Sequence, residues 1–335
     1  MLKKFNKKLM LIIMSLTVAA TVVACGKTEK TDGEKVDSSN GTKQEVSIKA
    51  YDQDKNEISL SFKESLKRAI TLNQSPTEML LALGLGDKMV GTAFLDDEIL
   101  PEYKEAYDKI PVLSKTYASL ESVLAKNPDI LIGWPSNFDE KHLGTVEELE
   151  SKGIKVYIPK STLKGEKKIE DVYEDILNLS KIFQVEENGQ KLVGEMKDKI
   201  EKVQEKIKGK EHVKVAVIDS IENTKSLNTC GNVPLEDKLI TLAGGKNVFG
   251  DIDKSYTTVS FEELIARNPD VLVVNYFAGS NLSVDKIKEN PMLKNLDAVK
   301  NDRIVLVPLT EVMGGVRNAD GVERLAKGFY PEIFK

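Results

Sequence analysis

The sequence predicts an α/β protein with two lobes, each a mostly parallel sheet flanked by helices, joined by one long bridging helix. A repeated segment is the first observation behind this prediction: residues 119–132 (SLESVLAKNPDILI) align without a gap with residues 260–273 (SFEELIARNPDVLV). In each copy a serine caps an amphipathic helix, Asn-Pro ends it, and an aspartate leads into an apolar run typical of a buried parallel strand. Two copies of one helix-strand unit indicate two lobes built on one plan.

A long amphipathic stretch between the two copies is the second observation. Apolar residues recur at helical spacing over residues 187–207. At about 1.5 Å per residue, such a helix is roughly 30 Å long, enough to run along a two-lobed body. We therefore predict an N-terminal lobe at 46–184, a bridging helix at 185–210 and a C-terminal lobe at 211–335.

The remaining elements follow from local signals. A strand at 68–72 precedes Ser75-Pro76-Thr77-Glu78, which is typical of a capping box with proline at the first helical position. The related segments 83–91 (LGLGDKMVG) and 242–250 (LAGGKNVFG) each predict a helix that ends at glycine before a short strand. Strands at 153–159 and 303–308 are predicted to close the two repeats.

The first residues resemble an export signal. Four lysines precede an apolar run at 9–24 that is too short for a comfortable membrane span, and Val22-Val23-Ala24-Cys25 fits the site at which lipoprotein signal peptidase cuts. We expect a signal peptide at 1–24, a lipid such as palmitate on Cys25, and a flexible polar tether at 25–45. The alternative is an ordinary secretory signal with a chance cysteine. The lipid would hold the protein on the extracytoplasmic face of the cell membrane.

Composition excludes several classes of function. Lys and Arg number 48 against 53 Asp and Glu, a net charge of −5 that opposes nucleic-acid binding. His142 and His212 are the only histidines, and neither HExxH nor GxSxG occurs, so we expect no metal centre and no catalytic residues. Apart from Cys25, Cys230 is the only cysteine, which predicts no intrachain disulfide and an inert thiol. The lysine run at 164–168 is interpreted as a solvated face.

The repeat, the glycine-closed helices and the bridging helix together resemble the substrate-binding lipoproteins of ABC importers for iron-siderophores, haem or cobalamin. Residues 76–97 and 314–334 resemble the opening and closing segments of the iron and cobalamin subgroup. The resemblance implies a monomer that captures a small-molecule metal chelate and delivers it to an ABC permease and its ATPase. It implies no covalent cofactor and no catalysis. A ferric siderophore is the favoured ligand, cobalamin and haem are the alternatives, and a surface enzyme or adhesin on the same scaffold is the alternative of a different class.

The resemblance also implies one acidic residue in each lobe that meets the permease, at Glu121 and Glu262. The repeat supports this pair independently, because equivalent positions in a two-fold repeat place the two carboxylates symmetrically on one face. The alternative is that both only stabilise their helices, since each lies in the first helical turn.

Residues at strand ends are the candidates for binding the ligand, because ligands of open α/β sheets lie beyond the carboxyl ends of the strands. In the resemblance Trp134 and Tyr256 match aromatic positions of cobalamin sites, whereas Lys115 departs from that pattern in the first lobe. Arg317 is the candidate for holding an anionic or oxygen-rich chelate. The alternative for each residue is packing or a surface ion pair. The complete set of predicted ligand-binding residues is Asn73, Tyr117, Trp134, Ser136, Lys160, Tyr256, Asn275, Tyr276 and Arg317.

Overall fold

The computed structural model describes residues 45–280 and 282–335. The predicted signal peptide, Cys25 and nearly all of the tether lie outside the described residues. Within the described part of the chain, no helix has the length and apolar character needed to cross a membrane.

Short strands and helices alternate along most of the described chain, as the sequence predicts. The strands are β1 (Val46–Tyr51), β2 (Glu57–Phe62), β3 (Ala69–Thr71), β4 (Met89–Ala93), β5 (Val112–Ser114), β6 (Ile130–Ile132), β7 (Lys155–Tyr157), β8 (Val213–Ile218), β9 (Ser220–Ile221), β10 (Ser226–Cys230), β11 (Gly245–Asn247), β12 (Tyr256–Ser260), β13 (Val271–Tyr276) and β14 (Ile304–Pro308). The helices are α1 (Gln74–Ala82), α2 (Lys104–Tyr107), α3 (Leu120–Leu124), α4 (Val146–Ser151), α5 (Ile169–Ile182), α6 (Glu186–Lys206), α7 (Leu235–Leu242), α8 (Phe261–Arg267), α9 (Val284–Glu289), α10 (Asp297–Lys300), α11 (Leu309–Val312) and α12 (Asn318–Phe329).

Two parallel sheets form the framework. The first has the strand order β5-β4-β3-β6-β7 and the second the order β11-β8-β13-β14, and the ladders of both sheets are parallel. The central strands of both sheets are buried, which explains their continuous apolar runs. The predicted fold class, two parallel sheets flanked by helices and joined by a long helix, is confirmed.

In the sequence, the long helix α6 follows the strands of the first parallel sheet and precedes those of the second. Its bounds match the predicted amphipathic stretch at 187–207 within one residue. It packs against α5, which precedes it in the sequence, and against α12 near the C-terminus. Its buried residues Val193, Met196, Ile200 and Val203 recur at helical spacing and belong to one apolar cluster with residues from both sheets' helices. We call residues 45–185 the N-terminal half and 207–335 the C-terminal half; the lobe boundaries predicted above stay a prediction.

The two repeat units have the same local structure. Ser119 accepts a hydrogen bond from the backbone of Ser122, and Ser260 accepts one from the backbone of Glu263, so both predicted caps are confirmed. Both helices are followed by a left-handed asparagine, with φ values of 45° at residue 127 and 42° at residue 268. The glycines that close α1 and α7 also have positive φ, 78° at residue 84 and 84° at residue 244, which glycine adopts at little cost.

The start of α1 differs from the prediction. The helix begins at Gln74 rather than after Ser75, its N-cap residue Asn73 makes no side-chain capping bond, and no capping box forms. The Ser75 hydroxyl instead donates to the Gly314 carbonyl, and Glu78 binds Arg317. Contacts with the C-terminal half therefore replace the local capping interactions.

Two antiparallel sheets complete the described structure. β1 and β2 form a hairpin ahead of the first parallel sheet. β9, β10 and β12 form a three-stranded sheet that carries Cys230 opposite Tyr256. The second of these sheets matters for the site, because it brings Tyr256 to the edge of a cavity described below.

Candidate ligand-binding cleft

A cavity of about 270 Å³ lies between the two halves of the chain. Its walls carry two aromatic side chains, two lysines and no aspartate or glutamate. The lining residues from the N-terminal half are Trp134, Ser161, Thr162, Leu163, Lys164, Gly165 and Lys167, and those from the C-terminal half are Pro234, Leu235, Ser255, Tyr256, Val312, Met313 and Gly314. Two of the predicted ligand-binding residues, Trp134 and Tyr256, therefore share one cavity.

Trp134 is delivered to the cavity by the carboxyl end of β6, as the sequence predicts. Its backbone nitrogen donates to Asn73 Oδ1 at 2.9 Å, and Asn137 Nδ2 donates to the same oxygen at 2.8 Å. Asn73 is buried, so its side chain holds the Trp134 loop in place. The indole Nε1 of Trp134 has no hydrogen-bond partner among the described residues.

Tyr256 forms the opposite wall. Its side chain is partly exposed, and its hydroxyl donates to Glu236 Oε2 at 3.0 Å. Glu236 is buried in the first turn of α7, directly after the cavity-lining Leu235. Burial raises the pKa of Glu236 to about 7, and the hydrogen bond from Tyr256 offsets only part of that rise.

Asn275 lies behind this wall at the carboxyl end of β13. The parallel pairing of β13 with β8 places Asn275 beside Asp219, the residue that follows β8. Asn275 Nδ2 lies 3.5 Å from Asp219 Oδ1. Asn275 is buried, and burial also raises the pKa of Asp219. Tyr276, the next residue, ends β13 and is only partly buried.

Lysines border the cavity on the side of the N-terminal half. Lys164 and Lys167 line it; Lys164 is exposed, in agreement with the predicted solvated face, whereas Lys167 is partly buried. Lys167 is half-buried, and burial lowers the pKa of its ammonium group. Lys160 lies in an adjoining groove of about 710 Å³, where its Nζ is 3.0 Å from Asp171 and 2.7 Å from Glu174. Two carboxylates thus already neutralise Lys160.

Arg317 does not offer its charge to the cavity. Its guanidinium is buried and donates to both carboxylate oxygens of Glu78, at 2.7 and 2.5 Å, and to the Glu98 carbonyl. Asp97 lies 3.8 Å away. The glycine-rich turn before α12 therefore places this arginine against the N-terminal half, as the alternative of an ion pair anticipated, although the pair is buried rather than on the surface.

Tyr117 and Ser136 form a separate group. The Tyr117 hydroxyl lies 3.3 Å from the Ser136 hydroxyl, and its ring packs against Phe94 and His142 with centroid distances of 5.0 and 4.0 Å. Neither residue lines the 270 Å³ cavity. Their predicted ligand contacts stay a prediction.

Glu121 and Glu262 occupy matching positions in the first turns of α3 and α8. Both are exposed, and neither has an ion-pair or hydrogen-bond partner for its carboxylate within the described part of the chain.

Cys230 is a buried free thiol, and burial raises its pKa well above the usual value. Among the described residues, no group of three or more His, Cys, Asp or Glu side chains is arranged to hold a metal ion.

Comparison with known proteins identifies the family to which this chain belongs. The signature of the family described as "Periplasmic binding protein" matches residues 70–309, which cover both parallel sheets. The chain belongs to the periplasmic binding protein family. It is a solute-binding protein of the kind that serves ABC importers, and the predicted resemblance is confirmed.

Three relatives illustrate the similarity. The chain is 26% identical to the uncharacterised ABC transporter substrate-binding lipoprotein YvrC of Bacillus subtilis (strain 168), over 96% of this chain and 97% of that protein. It is 32% identical to the vitamin B12-binding protein of Vibrio campbellii, over 64% of this chain and 73% of that protein. The crystal structure of a periplasmic binding protein from Veillonella parvula superposes with a TM-score of 0.78 at 30% identity, covering 86% of this chain and 99% of that one.

Sequence reasoning missed Glu236, Lys164 and Lys167. Glu236 has an unremarkable sequence context, because an acidic residue in the first turn of a helix usually serves the helix dipole. The lysines stand in a mostly exposed charged run, and two of them line the cavity because the C-terminal half folds against it. The one available signal was the position of the run a few residues after the predicted strand end at Pro159, which the strand-end rule assigns to the cleft.

Proposed function

We propose that this protein is a lipid-anchored binding protein that captures an anionic metal chelate, a ferric siderophore, and delivers it to an ABC permease and its ATPase. One observation carries the proposal: the cavity between the halves is lined by two aromatic side chains and two lysines, with no acidic side chain among its lining residues. This lining suits a ligand that combines aromatic or apolar surface with negative charge.

The chemistry of the walls explains how such a ligand would be recognised. Ferric complexes of catecholate or carboxylate siderophores carry net negative charge and expose flat donor rings or oxygens. Lys164 and Lys167 would pair with that charge, and an anion beside Lys167 would offset the burial that lowers the pKa of its ammonium group. Trp134 and Tyr256 would stack against the rings, and the free Trp134 N–H would donate to a ligand oxygen.

The size of the cavity indicates that binding involves some separation of the halves. At about 270 Å³ it is slightly below the roughly 300–1,000 Å³ of pockets that enclose drug-sized ligands. The Lys167 amide donates to the Val233 carbonyl at 3.1 Å, and Lys238 lies 3.4 Å from Glu166. Both contacts join the halves beside the cavity, and a siderophore would loosen them on entry.

Cobalamin is the second candidate ligand, since the vitamin B12-binding protein of Vibrio campbellii is 32% identical over 64% of this chain. The aromatic pair at Trp134 and Tyr256 is compatible with it. The two lysines favour the anionic ferric complex. Haem, with two carboxylates, shares that charge preference and is tested with the others.

Delivery is the second half of the proposal. The exposed carboxylates of Glu121 and Glu262 would contact basic residues of a two-fold permease, and the lipid on Cys25 would keep the protein in the membrane of its partner. A tether raises the local concentration of a binding partner without adding any contact. Attachment by several acyl chains would be firm, whereas a single chain would hold only marginally.

Fluorescence of Trp134, the single tryptophan, provides the test. The full chain is titrated with ferric catecholate and ferric hydroxamate siderophores, haem and cobalamin. We expect saturable quenching by an anionic ferric complex, and Lys164→Gln with Lys167→Gln should weaken that binding at least tenfold.

The matched control is Lys208→Gln with Lys210→Gln, which removes two exposed lysines at the end of the long helix. It should leave the affinity unchanged. Saturable binding of cobalamin alone, unaffected by either pair of substitutions, would replace the siderophore with the second candidate.

A further inference from the structure

A cluster of hydrogen-bond acceptors lies behind the Tyr256 wall of the cleft. Its members come from four separate elements or their ends: Asp219 after β8, Asn228 on β10, Glu236 on α7 and Asn275 on β13. Asn228 shares a face of its sheet with Tyr256, since it pairs with Thr258 in the same antiparallel ladder. We call these four residues the acceptor cluster.

Three oxygens of the acceptor cluster have no hydrogen-bond partner among the described residues: Glu236 Oε1, Asn275 Oδ1 and Asn228 Oδ1. Glu236 and Asn275 are each only 1% exposed. An acceptor left unpaired at such depth has lost its hydrogen bonds to water and gained none in return, which is unfavourable. Folded proteins rarely leave several such groups together without a purpose, so these oxygens indicate a place where a donor is received.

The members of the acceptor cluster interact with one another. Asn275 and Asp219 are close enough to affect the charge state of Glu236, and Tyr256 donates to the second Glu236 oxygen. Asp219, Asn228 and Tyr256 are partly exposed and border the cluster, whereas Glu236 and Asn275 form its floor. The Tyr256 side chain separates the floor from the cavity and is the group that would move aside.

We propose that the acceptor cluster binds a primary ammonium group carried by the ligand of the cleft. An ammonium ion has three N–H donors and one positive charge, which match three unpaired oxygens and the two carboxyl groups of Glu236 and Asp219. A bare metal ion matches less well, because the described residues include no metal-binding arrangement of side chains.

The charge balance of the cluster supports an ammonium rather than a neutral donor. Glu236 interacts electrostatically with Asp219 and Cys230, Cys230 also interacts with Asp237, and burial raises the pKa of Asp219, Glu236 and Cys230. Besides burial, the largest influences on the pKa of Glu236 come from Asn275, Tyr256, Asp219 and Cys230, none of which is a cation. An incoming cation would supply the missing positive charge and release a proton from Glu236.

This inference rests on the proposed function for its account of the ligand: a chelate whose anionic face meets Lys164 and Lys167 on one wall and whose amine enters the opposite wall. The cluster itself can be tested without any chelate, because a small ammonium ion should bind it weakly but specifically.

Methylammonium chloride is the probe, and tetramethylammonium chloride at equal ionic strength is the matched control ion with the same charge and no N–H donors. The full chain is labelled with carbon-13 at the glutamate carboxyl groups, and the Glu236 signal is assigned from its loss in Glu236→Gln. We expect methylammonium to lower the apparent pKa of Glu236 saturably, by about one unit, as an opposite charge at contact distance does. Tetramethylammonium should leave it unchanged.

Two variants and one control show whether methylammonium binds at the acceptor cluster. Glu236→Gln, checked for a retained cooperative thermal transition, should weaken methylammonium binding at least tenfold when binding is followed through the Tyr256 ring signals. Asn275→Leu should weaken it several-fold. Glu289→Gln, which changes an exposed carboxylate of the same half, should have no effect. Equal responses to the two ions, or undiminished binding by Glu236→Gln, would overturn the proposal.

A second arm separates this proposal from the proposed function. The ferric complex of a tris-catecholate chelator that bears one primary amine on its backbone, and that keeps a net negative charge, is compared with the same complex after acetylation of the amine. We expect the free amine to bind at least tenfold more tightly. If neither complex binds while methylammonium does, the chelate class is wrong and the ammonium site stands. If both complexes bind equally, the ammonium site is wrong and the chelate class stands.

Discussion

Arg317 and Glu78 form a buried ion pair between the residue before α12 and helix α1, so one side chain from each half completes it. The exposed fraction is 8% for the arginine side chain and 3% for the glutamate. At such depth the attraction mainly offsets the cost of removing two charges from water. The pair therefore contributes little net stability, but each charge offsets the cost of burying the other.

Replacing one partner of this pair should be far more damaging than replacing both. We expect Arg317→Met to lower the free energy of unfolding by about 3–5 kcal/mol, because Glu78 is left charged and unpaired. The double variant with Glu78→Met should recover most of that loss. Urea unfolding of the four proteins in a double-mutant cycle measures the coupling; additive losses would show that the ion pair is not a unit.

Glu236 makes stability depend on pH. Its pKa is about 7 in the folded protein and 4.5 in an ordinary environment, so between these values the folded state holds a proton that the unfolded state has lost. Stability is therefore greatest below pH 4.5 with respect to this group, and falls as pH rises to about 7. A shift of this size corresponds to about 3 kcal/mol.

The Glu236→Gln variant should lack this dependence. We expect the difference in unfolding free energy between wild type and variant to move in favour of the variant as pH rises from 4.5 to 7.5, by up to about 3 kcal/mol. Urea unfolding at four pH values measures it, and Glu289→Gln is the control. A constant difference across this range would show that Glu236 has an ordinary pKa.

The repeated units show which features of an element are local. Each serine cap satisfies a free N–H of the first helical turn, and this bond depends only on neighbouring residues. The sequence pattern therefore predicts α3, α8 and the strands after them well. It also predicts the glycine-closed helices and the long helix, whose apolar residues mark a buried face.

Removing either cap should give equal effects in the two halves. We expect Ser119→Ala and Ser260→Ala each to lower the unfolding free energy by about 1 kcal/mol, with additive losses in the double variant because the caps share no partner. Chemical denaturation measures the effect. A much larger loss at one serine would indicate a tertiary role that its local bonds do not reveal.

Elements that depend on distant partners were predicted less well. The capping-box pattern at Ser75 and Glu78 fails because Gly314 and Arg317 compete for the same side chains. The β1–β2 hairpin and the sheet of β9, β10 and β12 were not predicted, although β1 and β2 alternate apolar and polar residues as half-buried strands do. Two of the nine predicted ligand-binding residues, Trp134 and Tyr256, line the cavity, whereas its lysines were interpreted as facing solvent. Which side chains face the cavity depends on how the two halves pack against each other, and the local sequence pattern does not show this.

The matching carboxylates of Glu121 and Glu262 give a test of delivery to the permease. We expect Glu121→Ala with Glu262→Ala to retain ligand affinity and to abolish uptake by cells, because neither residue lines the cavity proposed to bind the ligand. The measurements are Trp134 fluorescence and accumulation of the labelled ferric complex.

The control for this experiment is Glu147→Ala with Glu289→Ala, which removes one exposed helix carboxylate from each half. It loses the same charge and should support normal uptake. Normal uptake by the double variant at residues 121 and 262 would show that these carboxylates only stabilise their helices.

The hydrogen bond from the Lys167 amide to the Val233 carbonyl joins the halves at the edge of the cavity. An amide in that position exchanges its hydrogen with deuterated solvent only when the bond opens, so its exchange rate counts the openings of the cleft. A bulky ligand that holds the halves apart would speed exchange at this one amide while slowing it elsewhere in the cleft. This single backbone bond thus makes the entry of the ligand visible as a change in isotope uptake at one residue.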